Sequence, residues 1–474
     1  MDYPREECGV AGGYSLSGEN VTPYLIKMGM ALQHRGQESW GLAIEGHKLF
    51  KTPGLVYTAV RRNPERLLKL TGFSGIHHNR YSTSGSSIGN IQPIDVNGAF
   101  TIAHNGTIEN TDYFKNQLSE CGFTPDTENP SDTYLVGHWL AQKQKETGDW
   151  KETFSELSKV ANGAFCFVML TSDGTVYAAR DKRGFKPLVL GKTKESYFVA
   201  SESCALDAIE AELVRDVEPG ELIKIDGNGV SSEKFAYDTS LNIDPFEFVY
   251  FAHPSSVIHG KVVYQVRKIL GRELARKYRL EGDVVIGVPE SARPAALGYA
   301  EETGIPYEDI LMKDRYTRPS VLRGFIQPDQ RLRTEIANSM STVKEVVAGK
   351  DLIVVEDTIV RSTSSSLFVP LLRRDKPRSI SLLLTFFPVR YPCYMGIDFP
   401  DRKELFVPSF DDGRMNIEEI NRAGGQKLGV DFLGYNDPVT LARAIGLPVE
   451  SICQSCFSGD YSNLNFTPTF RRRD

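Results

Sequence analysis

With 474 residues the chain is longer than one hydrophobic core usually holds, so two or more domains are expected. Hydrophobic residues at 41% and charged residues at 24% describe an ordinary globular protein, and a net charge of −6 argues against nucleic acid as the main partner. No apolar run approaches the ~18 residues of a membrane span, and seven widely spread cysteines do not read as a disulfide framework, so a cytoplasmic enzyme is expected.

Met1 to Glu7 form a charged leader without an apolar signal core. Cys8 to Ser15 read as a strand entered past glycines. Tyr24, Leu25, Met28 and Leu32 follow helical spacing, and that helix stops in the polar cluster Gln33-His34-Arg35-Gly36-Gln37-Glu38-Ser39. Further on stand Arg80 to Ser87, then Ala103-His104-Asn105-Gly106, then Ser131-Asp132-Thr133. Taken singly, Asn105-Gly106 reads as a turn, Arg80 as a surface charge and Ser131-Asp132 as a helix cap. Taken with Cys8 they supply a nucleophile, an amide oxyanion donor, a cation and an anion. That set is complementary to a small zwitterion with a reactive carbonyl, such as an amino acid amide. Cys121, Cys166 and Cys204 lie in or beside apolar runs and read as inert core.

The polar stretch from Asp226 to Leu241 is the linker expected from composition, and Phe246 to Pro254 opens a second unit. There an amphipathic helix (263–278), a buried strand (284–288), the turn Pro289-Glu290-Ser291-Ala292-Arg293-Pro294 and a second helix alternate toward strands at 352–355 and 380–384. This is the rhythm of a doubly wound sheet. Within it, Leu352 to Val355 are followed by Glu356 and Asp357, a hydroxyl-rich turn, and a helix start near Ser365. Ligands of open α/β sheets sit beyond the carboxyl ends of the strands, and anions favour helix N-termini. The acids suit sugar hydroxyls or a hydrated metal and the hydroxyls suit a phosphate, which points to a phosphorylated sugar. The plain alternative is a buried strand followed by a helix cap.

In order and spacing, Cys8, Arg80, Asn105, Gly106 and Asp132 resemble the glutamine amidotransferase domain of the N-terminal-nucleophile hydrolases. The second half resembles the type I phosphoribosyltransferases. Roughly residues 8 to 462 are thus similar to the glutamine phosphoribosylpyrophosphate amidotransferases, of the leader-peptide, iron–sulfur type. The resemblance implies an α/β fold class, with an α+β αββα sandwich of the N-terminal-nucleophile kind beside a type I phosphoribosyltransferase doubly wound parallel sheet. The implied divisions are a cleaved leader (1–7), a glutamine amidotransferase domain (8–235), a phosphoribosyltransferase domain (236–430) and a C-terminal tail with Cys-x-x-Cys (431–474).

The implied activity is a pentosyl-transferring glycosyltransferase at the first committed step of purine synthesis. Glutamine would be hydrolysed through a Cys8 thioester. The ammonia would pass to phosphoribosylpyrophosphate, giving 5-phosphoribosylamine, glutamate and pyrophosphate. Cleavage of the Glu7–Cys8 bond would free an α-amine of pKa about 7.7–8.0, able to serve as base for its own thiol. By the same resemblance Arg80 and Asp132 hold the glutamine carboxylate and ammonium, and Asn105 and Gly106 form the oxyanion hole. Glu290 and Ser291 fall in the pyrophosphate turn. Glu356 and Asp357 hold ribose hydroxyls and Mg²⁺, and Thr358, Arg361, Ser362, Thr363, Ser364 and Ser365 the 5′-phosphate.

Lys313, Arg315, Tyr316 and Arg323 belong to a basic segment, 313–333, whose six cations against two aspartates leave a net +4 to neutralise pyrophosphate. Purine nucleotides as inhibitors and a homo-oligomer, dimer or tetramer, are further implications.

Cys393, Cys453 and Cys456 match cluster-ligand positions of the family. Asp244 stands where the family has its fourth cysteine, so a [4Fe–4S] cluster with one oxygen ligand is expected. A zinc site or plain thiols are the alternatives. Ser362 also departs from the family, which has glycine there. Pro370 is expected early in the following helix, and the loop from Tyr316 to Arg323 is longer than the family pattern by about four residues. Two other readings stand beside this one, the first resting on Ser362 and Asp244. One is a catalytically degenerate paralogue that binds nucleotide or phosphoribosylpyrophosphate as a regulator. The other is a glutaminase with different acceptor chemistry, like sugar-aminating relatives, which the strand-to-phosphate loop opposes.

Overall fold

The strand Gly163–Thr171 is apolar at nearly every position because both its faces are covered. Cys166, Val168 and Leu170 meet the core between two stacked sheets, whereas Phe165, Phe167 and Met169 meet helices. That alternation defines the first half of the protein, seen in a computed structural model that describes residues 8–46, 48–80, 90–125, 127, 129–313, 340–362, 364–397, 399 and 401–462.

One sheet has seven antiparallel strands in the order Glu212–Asp216, Val189–Lys192, Ser196–Ala200, Gly9–Ser15, Ser74–Arg80, Ser39–Ile44 and Lys48–Pro53. The other has six, in the order Gly229–Lys234, Glu221–Asp226, Val176–Arg180, Gly163–Thr171, Phe100–Ile108 and Ile94–Val96. Helix Thr22–Ala31 covers the outer face of the first sheet through Leu25 and Met28. Helices Asp132–Thr147 and Trp150–Val160 cover the outer face of the second. The layers are helix, sheet, sheet, helix, as the αββα expectation requires.

Two sequence readings need correction here. The polar stretch from Asp226 to Leu241 does not begin as a linker. Gly229–Lys234 is an edge strand paired to Glu221–Asp226, and an edge strand can satisfy its backbone on one side without apolar side chains. Cys121 is exposed at the end of helix Thr111–Glu120 and is not core.

The second half is built on four parallel strands in the order Val284–Gly287, Asp351–Glu356, Ser379–Leu384 and Phe432–Tyr435. Their residues alternate between two cores. Val285, Ile353 and Val355 face helices Val263–Lys277 and Arg293–Thr303, while Val284, Ile286, Leu352 and Val354 face helix Ser365–Arg374 and helix Ile417–Leu428. Helices on both faces make this a doubly wound sheet. Pro370 is inside helix Ser365–Arg374, in its sixth position rather than near its start.

The halves are fastened along the segment 243–256. Asp244 N–H donates to the Phe185 carbonyl, Ile243 forms a parallel bridge with Ile452, and the Phe246 ring packs tilted on Phe386 with centroids 4.1 Å apart. Among the described residues, no helix is long and apolar enough to cross a membrane.

Candidate functional site

Gly9 is the register partner of Asn79, so Cys8 lies at the same sheet end as Arg80, the last residue of its strand. Arg80 is buried, not a surface charge. The turn after the first helix crosses this end so closely that a Cβ on Gly36 would stand 2.6 Å from the Asn79 carbonyl carbon. The turn touches both candidate residues. Arg35 Nε donates to the Cys8 carbonyl at 3.2 Å, and Glu38 N–H donates to the Arg80 carbonyl at 3.1 Å.

From the facing sheet comes the strand Phe100–Ile108, which carries Asn105 and Gly106 in extended pairing rather than in a turn. Gly106 has φ +137°, and a Cβ there would lie 2.2 Å from the Ala164 carbonyl oxygen, so no other residue fits. The Asn105 side chain is buried, and neither its Oδ1 nor its Nδ2 has a hydrogen-bond partner among the described residues. Buried amides are almost always paired, so this one is available to something that binds.

His78 Nε2 lies 3.1 Å from the His104 carbonyl, tying the Arg80 strand to the Asn105 strand. Asp132 opens helix Asp132–Thr147 and accepts from Ile108 N–H at 3.0 Å, and its Oδ2 lies 3.6 Å from His104 Nδ1. Burial pulls the His104 pKa down, against the opposing charge of Asp132. Ser131 caps the same helix by accepting from Tyr134 N–H at 3.2 Å, so the cap reading of this pair also holds. All five residues of the sequence-derived set therefore stand on connected elements at one end of the two sheets.

The second cluster lies beyond the carboxyl ends of the parallel strands. Glu356 ends its strand and Asp357 follows; both are buried. Ser291 Oγ donates to Asp357, and Thr358 N–H donates to Asp357 Oδ1 at 2.6 Å. The pyrophosphate-turn candidate Ser291 is thus brought to the acid pair. Glu290 is exposed and paired with Arg293, and the Pro289–Glu290 peptide bond is cis. Thr358 Oγ1 is buried without a partner among the described residues.

Ser362 adopts φ +62°, the left-handed conformation for which glycine is the usual residue. Its carbonyl accepts from Ser366 N–H at 2.9 Å and from the hydroxyls of Ser365 at 3.0 Å and Ser366 at 2.7 Å. The Ser365 hydroxyl is thereby committed internally, while Ser364, at the N-cap, makes no side-chain capping bond. Arg361 is directed to Glu404, at 2.7 Å. Lys313 lies in the short strand Met312–Lys313. Arg315, Tyr316, Arg323 and Thr363 lie outside the described residues.

Cys393, Cys453 and Cys456 line one small pocket together with Asp244, Phe185, Phe246 and Met395. Burial pushes the Cys393 thiol up to about 12, with the neighbouring Cys453 adding to it, and burial raises Cys456 well above its ordinary value, with Cys453 and Cys393 adding. Met395 N–H donates to Cys393 Sγ at 3.4 Å, the kind of donor that a sulfur ligand accepts. Asp244 is held by Lys186 at 2.8 Å, with both side chains buried, and accepts from Phe246 N–H at 3.0 Å.

Sequence reasoning assigned no role to Lys186, nor to a second buried ionic cluster beside Cys8. There Arg35 Nη1 lies 2.6 Å from Glu202 Oε1 and 2.9 Å from Glu247 Oε2, and Nη2 lies 2.9 Å from Glu247 Oε1. Glu202 also accepts from Ser256 Oγ at 2.6 Å and His253 N–H at 2.8 Å, and its Oε1 lies 2.7 Å from His34 Nε2. Burial alone would raise the Glu202 carboxyl, but His34 and Arg35 hold it well below the usual range. The one signal in the sequence was the density of polar residues at 33–39.

A family model described as a glutamine amidotransferase domain matches residues 78–208. The amidophosphoribosyltransferase of Bacillus subtilis strain 168 is 38% identical over 473 residues, covering 96% of this chain and 94% of the relative. The amidophosphoribosyltransferase of Methanocaldococcus jannaschii is 37% identical over 485 residues, covering 97% and 98%. The fold is similar to the solved glutamine phosphoribosylpyrophosphate amidotransferase from B. subtilis complexed with ADP and GMP, with a TM-score of 0.83 and 35% identity over 96% of this chain and 97% of that one.

Proposed function

The chain belongs to the amidophosphoribosyltransferase family, and on that premise we propose that Cys8 hydrolyses glutamine and that the ammonia released is consumed at the Asp357 crevice. The observation that carries this reading is the buried, unpartnered Asn105 amide, on a strand of the facing sheet that His78 ties to the Arg80 strand, whose end Cys8 shares. Removal of residues 1–7 frees the Cys8 α-amine, which takes the thiol proton. The sulfur attacks the carboxamide carbon of glutamine, and Asn105 Nδ2 with the Gly106 main chain receives the charge that develops on oxygen. Arg80 and Asp132 hold the two charged ends of the amino acid. The proton returns to the departing nitrogen, and water then cleaves the thioester to give glutamate.

At the crevice, ammonia attacks C1 of phosphoribosylpyrophosphate and pyrophosphate leaves. Asp357, oriented by Ser291 and the Thr358 N–H, and Glu356 offer hard oxygens suited to ribose hydroxyls and to Mg²⁺. When bound, Mg²⁺ supplies positive charge to the leaving pyrophosphate. The buried Thr358 hydroxyl and the turn held open by Ser362 suit the 5′-phosphate.

The pocket with three thiols, a backbone N–H on sulfur and a carboxylate fits a [4Fe–4S] cluster held by Cys393, Cys453, Cys456 and Asp244. Its role would be structural, holding the tail on the second half. A cytoplasmic homo-oligomer inhibited by purine nucleotides completes the reading; the B. subtilis relative was solved with ADP and GMP.

The test is pyrophosphate release for the parent and for Cys8→Ala. The parent works with glutamine and Mg²⁺, and the variant only with added ammonia. No pyrophosphate from either protein under either condition refutes the activity. Mass spectrometry of the active protein tests the cleavage, since an intact Met1 rules out the free amine. Iron and acid-labile sulfide assays on anaerobically purified protein test the cluster, which a colourless, iron-free, active enzyme would sink.

A further inference from the structure

The Arg35 cluster joins two parts of the chain that meet only in the folded molecule. Glu202 belongs to the first half, where the adjacent Ser201 bonds Val10 through its backbone N–H and its Oγ, each at 2.9 Å. Glu247 belongs to the segment that opens the second half. It meets Arg35 through both carboxylate oxygens in a parallel fork, the geometry that fixes a guanidinium in angle as well as distance. The remaining nitrogen of that guanidinium, Nε, is the one on the Cys8 carbonyl.

Glu247 is itself anchored from behind. Its helical turn, Glu247–Phe251, has its neighbouring carbonyls gathered by Arg267, which donates to Phe248 at 2.8 Å, Tyr250 at 3.0 Å and Ala252 at 2.8 Å. Phe246 is packed on Phe386, whose N–H donates to the Asp357 carbonyl at 2.9 Å.

We infer that Glu247, a carboxylate supplied by the second half, is a positioning residue for the Cys8 nucleophile, acting through the Arg35 guanidinium. Arg35 lies between these two carboxylates, and losing the bidentate fork with Glu247 loosens the angle of the guanidinium and of the Cys8 carbonyl that it holds. Register within the first half brings Cys8 to its sheet end, and a carboxylate of the second half completes its positioning. The inference rests on Cys8 being the glutaminase nucleophile.

The full-length protein carrying Glu247→Gln tests this. The substitution keeps the size of the side chain and removes its charge. Small displacements of a reacting group cost about tenfold to a hundredfold in rate, so kcat for glutamine-dependent glutamate release falls by that factor. KM for glutamine stays within about twofold because Arg80 and Asp132 are untouched, and ammonia-dependent pyrophosphate release is retained. Glu247→Asp, which restores the charge, recovers part of the loss.

Equal losses with glutamine and ammonia would show a merely structural role and overturn the inference, as would unchanged glutamine kinetics. If Glu247→Gln does not fold, Glu247→Asp is read by the same two rates, and the glutamine rate must still fall selectively. Failure of the underlying reading appears separately, as glutamine-dependent turnover that survives Cys8→Ala.

Discussion

Around Cys8 the candidate groups stand on hydrogen-bonded strands or on the first turn of a sixteen-residue helix, whereas around Asp357 they stand on turns beyond the strand ends. In the first region sheet register sets the geometry. Gly9 opposite Asn79 places Cys8 beside Arg80, and a one-residue slip would move every group to the wrong face. In the second region local backbone conformation sets it, as with Ser362 at φ +62° and its carbonyl gathering two hydroxyls. A register-built site is intolerant of change. A turn-built site can trade conformational cost against grip one residue at a time.

The comparison is broken most severely by Asn105→Ala. Losing one oxyanion donor costs about 2.7–4 kcal/mol, roughly 10²–10³ in kcat for glutamine hydrolysis. Pyrophosphate release with ammonia should not change, and steady-state rates with the two nitrogen sources read this directly.

Acid should also destabilise the first region. Burial pushes His77 down to about 4 and His78 well below its usual 6.5, and burial with the neighbouring Arg180 also lowers His259, at the start of the second half, to about 4. Between pH 6.5 and about 4 the unfolded chain binds protons that the folded first half refuses. These histidines therefore cost nothing above about 6.5, and the destabilisation grows as pH falls through that window, by roughly 3 kcal/mol for His77 alone. Trp40, Trp139 and Trp150 all lie in the first half, so tryptophan fluorescence reports its melting alone. A melting temperature that stays flat from pH 6.5 to 4 would refute the assignment.

Asp357→Ala removes a charged hydrogen-bonding group worth about 1.5–3 kcal/mol, or roughly tenfold to a hundredfold in KM for phosphoribosylpyrophosphate. Glutamate release measured without that substrate should stay as it is.

The smallest effect sharpens the contrast. Ser362→Gly relieves about 1 kcal/mol of left-handed backbone cost. KM for phosphoribosylpyrophosphate then falls by up to about fivefold, and an unchanged value would show that serine is already neutral there.

What could be read from the chain beforehand follows the same division. The buried strand at 352–355 and the acid pair were legible because local pattern determines them, and so were both layers of helix against sheet. The five residues of the Cys8 region were legible as a set because each carries a distinct chemical type. Partnerships between distant charges were not. Nothing near Lys186 announces Asp244, and nothing near Arg35 announces Glu247, because a buried ion pair depends on which segments meet. The edge strand Gly229–Lys234 was hidden for a related reason. Its stability comes from backbone pairing, to which its Ser231, Ser232 and Glu233 side chains contribute no pattern.

The bridge between Ile243 and Ile452 has a consequence for how the protein is made. Cys453 N–H bonds the Ile243 carbonyl, and the Cys456 carbonyl accepts from Arg390 and Tyr391. A segment synthesised midway must wait for one that leaves the ribosome near the end, since domains form in the order in which their residues emerge. Until then the apolar side chains of Phe246 and Phe248 lack part of their cover. The turn at Cys453 to Ser458 acts as a latch, and a ribosome that stops short of Cys453 releases a protein whose first half is complete and whose seam is open.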